Sequence, residues 1–144
     1  MGKNMLKLDT SGFDDYAYKL DRLGADLRSI FTDALQEAAE TITEDTFDGV
    51  TEPNLPRGGK YSGGETKASI VKNPRVEWDG MVGSVAVGFD FSKPGAGGYL
   101  ITGTPRMRPD KALNRIYKSK KYMKDIEQQM TEVFQKEINR RLGG

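Results

Sequence analysis

The strongest constraint on the fold is a run of apolar residues that recurs every three or four positions through the first third of the chain. This spacing places one apolar stripe along a helix, and another element must cover such a stripe. The sequence therefore predicts a long amphipathic helix over residues 12–48, which Gly24 could bend or interrupt and Gly49 could end. Its apolar positions are Phe13, Tyr16, Ala17, Leu20, Leu23, Leu27, Ile30, Phe31, Ala34, Leu35, Ala38 and Ile42.

After residue 64 the apolar pattern changes from helical to alternating, which is typical of β-strands. Residues 66–71 alternate, and a second alternating segment from Met81 to Phe89 follows Asp79-Gly80, a dipeptide typical of tight hairpin turns. Strands are therefore predicted within about residues 65–90. The short alternating stretch from Met5 to Asp9 is a further strand candidate.

The rest of the chain adds helices and loops to this pattern. Apolar spacing predicts helices at about residues 108–119 and 121–142, and a short apolar segment predicts a strand at 98–102. Glycine and proline are concentrated in residues 49–64 and 91–98, which are predicted to be long flexible loops. The predicted fold class is α+β: one domain over residues 1–144, in which the long N-terminal helix and two C-terminal helices pack on a small antiparallel sheet.

The chain contains no histidine and no cysteine, which excludes much of enzyme chemistry. Histidine is the commonest acid–base residue and metal ligand near neutral pH, and cysteine is needed for disulfides and thiolate metal sites. The glycine-rich run around Lys60 is not a phosphate-binding loop, because Asn54 stands where its first glycine is required. We therefore expect a soluble, intracellular, non-enzymatic protein without a metal or cofactor. No membrane partner is expected, since no apolar run approaches the ~20 residues that span a bilayer.

Acidic and basic residues are segregated along the chain, although its net charge is only +1. Residues 1–48 contain 5 basic and 11 acidic residues, whereas residues 111–144 contain 9 basic and 4 acidic residues. This distribution suits head-to-tail contacts between copies or one acidic and one basic surface; an internal match of two packed helices is the alternative. The acids on the outer face of the predicted helix form either a solvated face or a channel lining for DNA: Asp26, Asp33, Glu37, Glu40, Glu44 and Asp48.

A basic segment occupies residues 111–124 and contains no acidic residue. Two tyrosines, Tyr117 and Tyr122, are interleaved with its positive charges. Basic and aromatic side chains together can bind nucleic acid through phosphate charge and base stacking, although a solvated or partner-facing patch is the simpler interpretation. The basic residues are Lys111, Arg115, Lys118, Lys120, Lys121 and Lys124.

The order of these parts resembles the tail-completion, or head–tail joining, family of long-tailed bacteriophages. The short motifs that carry the resemblance are Pro56 to Ser62-Gly63, Ala68-Ser69-Ile70, Val85-Ala86-Val87-Gly88, Tyr99-Leu100-Ile101-Thr102-Gly103-Thr104, and Met107-Arg108-Pro109 leading to Ala112-Leu113. Two motifs depart from the family pattern. Ile101-Thr102 replaces an acidic residue followed by Phe or His, and Met107-Arg108-Pro109 replaces an aromatic-Leu-Pro sequence.

The resemblance implies a structural protein of the virion neck or tail, assembled in the host cytoplasm as a ring of identical subunits with sixfold symmetry. Its partners would be neighbouring neck and tail proteins, and DNA would pass through the ring without sequence recognition. The family supplies no catalytic residues or cofactor. Related roles include completion protein, terminator and stopper. Loop residues would contact other subunits or the tail: Arg57, Lys60, Tyr61, Phe91, Lys93 and Tyr99.

Two hypotheses from other classes remain beside this one. A small nucleic-acid-binding accessory protein would use the basic segment 111–124. A small enzyme would have to rely on carboxylates alone, since the chain lacks histidine.

Overall fold

The fold is α+β, as predicted, and it is described by a computed structural model for residues 6–50, 69–90, 101 and 111–143. Within these residues four helices accompany one antiparallel sheet of three strands. In chain order the elements are β1 (Leu6–Asp9), α1 (Asp14–Arg22), α2 (Leu27–Gly49), β2 (Glu77–Asp79), β3 (Val82–Val87), α3 (Lys111–Lys118) and α4 (Lys120–Leu142). The predicted loops at 51–64 and 91–98 lie outside the described residues.

The sheet has the order β1–β3–β2, with β3 in the centre. The predicted hairpin is confirmed: β2 and β3 are antiparallel, Asp79 is paired with Val82, and Gly80 in the turn has a φ of 62°. Such a backbone conformation favours glycine, because a side chain would be strained there. The strand candidate at the N-terminus is also confirmed, since β1 pairs with β3 and sets Leu8 opposite Val85.

Two other strand predictions differ from the structure. In the described part of segment 66–71, Ile70 forms only an isolated antiparallel bridge with Phe89. Ile101 is the one described residue of the predicted strand 98–102, and its backbone is helical rather than extended. Ile101 is fully buried, and its carbonyl oxygen accepts a hydrogen bond from Asn114 Nδ2 at 2.7 Å. At Ile101, therefore, the β-propensity of the residue type does not determine the backbone conformation.

The helical region predicted over 12–48 is divided into α1 and α2 rather than continuous. Gly24 has a φ of 76°, and the amide of Ala25 donates to the carbonyl of Leu20, which ends α1. Asp26 then caps α2, because its carboxylate accepts a hydrogen bond from the Ser29 amide at 3.3 Å. Gly24 thus interrupts the helix.

Helix α2 lies at the centre of the molecule, between the sheet and α4. Its apolar face is buried against both. Leu8 of β1 and Val85 and Val87 of β3 are buried on the sheet face that packs on α2, whereas Val82 is exposed on the other face. The ring of Phe134 on α4 packs against three aromatic rings, those of Phe13, Tyr16 and Phe31, at centroid distances of 5.3, 5.5 and 4.5 Å. Burying side chains of this size is the main stabilising contribution to such a fold.

Helices α2 and α4 are antiparallel. Asp45, near the end of α2, is hydrogen-bonded to Tyr122 in the first turn of α4, whereas Phe31 near the start of α2 meets Phe134 farther along α4. The start of α4 and the adjoining α3 therefore lie beside the end of α2. No helix in the described part of the chain is long and apolar enough to cross a membrane.

Candidate functional site

An acidic stripe runs along the solvent side of α2. Its members follow one another at intervals of four, three, four and four residues, which places them on one face of a helix. The stripe spans roughly 22 Å, since each helical residue rises about 1.5 Å. All five side chains are exposed: Asp33, Glu37, Glu40, Glu44 and Asp48.

The carboxylates of the acidic stripe have no ion-pair partner among the described residues, where the ion pairs join Lys121 to Asp125 and two arginines to Glu137. Residues 29–50 contain six acids and no base, so α2 cannot neutralise the stripe itself. Asp26, which the sequence grouped with these acids, instead caps the helix. The internal charge match considered from the sequence is therefore not made through ion pairs in the described part of the fold.

A basic face is formed by α3 and the first turns of α4. On α3 the positive side chains lie opposite the buried Leu113 and Ile116, and on α4 they lie opposite the buried Ile126. All six are exposed: Lys111, Arg115, Lys118, Lys120, Lys121 and Lys124.

The basic face has almost as few ion-pair partners in the described residues as the acidic stripe. Its one ion pair in the described residues joins Lys121 Nζ to Asp125 Oδ2 at 3.8 Å, and both side chains are largely exposed. Pairs of this kind contribute little, because water and salt screen them. The positive side chains of the predicted basic segment are thus all exposed in the fold, and its role as a binding patch stays a prediction.

Charges at the end of α2 and at the start of α4 oppose the dipoles of those helices, whereas Arg115 and Lys118 in the last turn of α3 favour its dipole. Helix α4 has lysines and no acid in its first turn, and α2 has Asp48 and no base in its last turn. Each such charge near a helix end is unfavourable by about 0.3–1 kcal/mol, because a helix start is partly positive and a helix end partly negative. The stability of the isolated helices therefore does not account for this charge distribution.

Two tyrosines join the basic face to the end of α2. The Tyr122 hydroxyl donates a hydrogen bond to Asp45 Oδ2 at 2.6 Å, and the hydroxyls of Tyr117 and Thr46 are 2.7 Å apart. The Arg115 guanidinium lies 5.4 Å from the centroid of the Tyr122 ring, which orients it at the surface. These contacts fix α3 and α4 relative to α2.

The same tyrosines differ in their exposure to solvent. Tyr122 is only 5% exposed, and Tyr117 is half-buried. Burial raises the pKa of Tyr117 to about 12. Burial, together with the hydrogen bond to Asp45, raises the pKa of Tyr122 still further. Tyr122 is thus not exposed for base stacking. Stacking by Tyr117 and phosphate binding by the basic residues stay predictions.

A small cleft lies beside Trp78 in the described region. Its volume is ≈ 160 Å³, and Met81 at its rim is 80% exposed. Trp78 is half-buried: its Nε1 donates to Thr32 Oγ1 at 3.0 Å, and the Arg28 guanidinium lies 5.2 Å from its ring centroid. The ring is therefore held in place by packing, in agreement with a core or interface role.

The predicted loop contacts stay predictions, because the residues concerned lie outside the described part of the chain: Arg57, Lys60, Tyr61, Phe91, Lys93 and Tyr99. Sequence reasoning missed the anchoring roles of Asp45 and Thr46. No local pattern marks Asp45, because its partner is 77 positions away. No group of three or more acidic side chains in the described residues is arranged to hold a metal ion.

No protein-family model, curated protein or solved structure matches this chain. The acidic stripe, the basic face and the tyrosine contacts that fix them are therefore the features from which a function can be inferred.

Proposed function

We propose that this protein is a non-enzymatic structural subunit of a bacteriophage neck, where copies of it assemble into a ring that joins or completes the tail at its head-proximal end. The observation that carries the proposal is the presence, on one folded chain, of an acidic stripe and a basic face that are both exposed and almost unpaired within the described residues. The resemblance of residues 50–115 to head–tail joining proteins supports the neck as its location.

Opposite charges on different surfaces of one chain favour assembly through unlike surfaces. A contact between one surface of a copy and a different surface of the next copy is heterologous. Such contacts produce a closed ring when the equal rotations from copy to copy add up to one full turn. The ring would be sixfold, would form part of the DNA channel and would contact neighbouring neck and tail proteins. DNA would pass through it without its sequence being read.

The acidic stripe has two possible positions in such a ring. Facing the channel, its carboxylates would repel DNA phosphates and keep the passing DNA from adhering. Facing a neighbouring copy, they would attract that copy's lysines. Either position leaves the stripe exposed in the single chain, as it is here.

The test is the assembly state of the full chain. Light scattering and negative-stain electron microscopy would be recorded at about 50 mM and about 500 mM salt, a range over which screening between exposed charges increases strongly. The measurements would be repeated with the portal and tail-tube proteins of the same phage. We expect rings, either alone or with these partners. A strict monomer at high concentration that stays unassembled with both partners would refute the proposal.

A nucleic-acid-binding accessory protein is the second candidate, and the exposed basic face favours it specifically. If all six positive side chains contacted phosphates of duplex DNA, the logarithm of the binding constant would fall with the logarithm of salt concentration with a slope of about −5. Fluorescence anisotropy with a labelled duplex measures this slope. Loss of binding in a Lys118→Glu/Lys120→Glu/Lys121→Glu variant, in a protein that never forms rings, would support this candidate over the neck ring.

A further inference from the structure

We infer that the basic face of one copy docks on the acidic stripe of the next copy, so that α3 and the start of α4 of each subunit contact α2 of its neighbour. This inference rests on the proposed self-assembly and names the surfaces that would form it. It assigns the acidic stripe to a subunit contact rather than to the channel.

The first argument is charge complementarity. The basic face carries six positive side chains on a segment with no acid, and the acidic stripe carries five carboxylates on a segment with no base. Within the described residues neither set is neutralised by its own chain, apart from the exposed Lys121–Asp125 pair. A second copy of the chain is therefore a partner that supplies the missing charge on both sides at once.

The second argument comes from the helix dipoles. Carboxylates that approach the first turn of α4 would offset both its lysines and the partial positive charge of that helix end. Lysines that approach the last turn of α2 would likewise offset Glu44, Asp48 and the partial negative charge of its end. The start of α4 lies beside the end of α2 in the same chain, so the charges at these two helix ends already attract one another across the fold. Docking of unlike surfaces would bring further opposite charge to both helix ends, whereas a DNA channel lined by the stripe would bring none.

The third argument is rigidity. Both surfaces lie on helices, and the Tyr122–Asp45 and Tyr117–Thr46 hydrogen bonds join these helices directly. Few side chains other than the charged ones need to be ordered on docking, which lowers its entropic cost. A fixed angle between the two surfaces also means that every copy adds to the next with the same rotation, as a closed ring requires.

The test is charge-swap complementation in the full chain. An acid-swapped variant carries Glu37→Lys, Glu40→Lys and Glu44→Lys, and a base-swapped variant carries Lys118→Glu, Lys120→Glu and Lys121→Glu. A matched control reverses three exposed acids outside both surfaces, Asp21→Lys, Glu77→Lys and Glu132→Lys. Circular dichroism and thermal melting confirm that each variant is folded before association is measured by sedimentation and by energy transfer between labelled copies.

We expect the self-association constant of each single-surface variant to fall at least about tenfold at low salt, since three attractive contacts become repulsive. An equimolar mixture of the two should regain association, because each then supplies the charge that the other lacks. A chain with all six substitutions should associate with itself and not with the wild type. The control should associate like the wild type.

Three results would overturn the inference. The first is unchanged association of both single-surface variants. The second is a mixture that stays dissociated although the wild type assembles. The third is intact assembly of the base-swapped variant with loss of DNA binding, which would make the basic face a nucleic-acid surface. In each of these results wild-type rings persist, so the proposed neck ring survives; only failure of the wild type to assemble with or without its partners would refute that proposal itself.

Discussion

The hydrogen bond between Tyr122 and Asp45 links the first turn of α4 to the end of α2, and Tyr122→Phe removes it while keeping the ring. Tyr122 is 5% exposed, and its hydroxyl lies 2.6 Å from Asp45 Oδ2. A hydrogen bond to a charged group contributes about 1.5–3 kcal/mol. Asp45 is only partly buried, so water can replace part of the lost bond. We therefore expect the free energy of unfolding to fall by about 1.5 kcal/mol, the lower end of this range.

Urea unfolding followed by circular dichroism measures this loss, and a melting temperature lower by about 3–6 °C should accompany it. Tyr18→Phe is the matched control, because Tyr18 is 64% exposed and its hydroxyl, within the described part of the chain, accepts a hydrogen bond only from Arg22 at the surface. It should change the unfolding free energy by less than about 0.5 kcal/mol. A double-mutant cycle with Asp45→Ala should give a coupling energy of about 1 kcal/mol or more. A Tyr122→Phe protein as stable as the wild type, or a coupling energy near zero, would refute the role assigned to this bond.

Three further predictions concern residues whose environment the structure fixes. Because the pKa of Tyr117 and of Tyr122 is raised, the folded state keeps their protons at a pH at which the unfolded state loses them. The free energy of unfolding, measured with urea at a series of pH values, should therefore have its full value below pH 10 and fall towards pH 12. The fall should be smaller in Tyr117→Phe/Tyr122→Phe. Gly49→Ala should lower the unfolding free energy by about 1–2 kcal/mol, because its Cβ would stand 2.8 Å from the buried Leu113 Cδ2; a gain in stability would contradict this. Gly24→Ala should lower the unfolding free energy by about 1 kcal/mol, since a Cβ there meets no atom but is strained at a φ of 76°. An unchanged urea midpoint would show that the turn tolerates a side chain.

The two candidate functions respond to the same substitutions in different ways. Reversing charges on the basic face would reduce both ring assembly and DNA binding, so this change alone does not separate them. Reversing charges on the acidic stripe does separate them, because DNA would bind no less tightly to a protein that had become more positive. Assembly, by contrast, should be lost and then recovered with the complementary variant.

The sequence by itself determined the features that depend on local spacing. The apolar period of the first third of the chain predicts a helix with one buried face, and α2 has that face. Asp79-Gly80 predicts the hairpin, because the tight turn needs a residue that accepts a positive φ. The acidic and basic surfaces are also local in origin, since charged residues that recur every three or four positions lie on one face of a helix wherever that helix packs.

Only the tertiary structure decided which residues connect these elements. Tyr117 and Tyr122 stand in a basic segment and suggest nucleic-acid stacking, yet they reach Thr46 and Asp45, 71 and 77 positions away, and Tyr122 is withdrawn from solvent. Gly49 suggested a helix end from the sequence; in the fold it also leaves room for Leu113. Whether the opposite charges cancelled inside the chain was likewise undetermined until the helices were in place. The physical reason is common to all three: periodicity is fixed by neighbours along the chain, whereas burial and pairing depend on residues that only folding brings together.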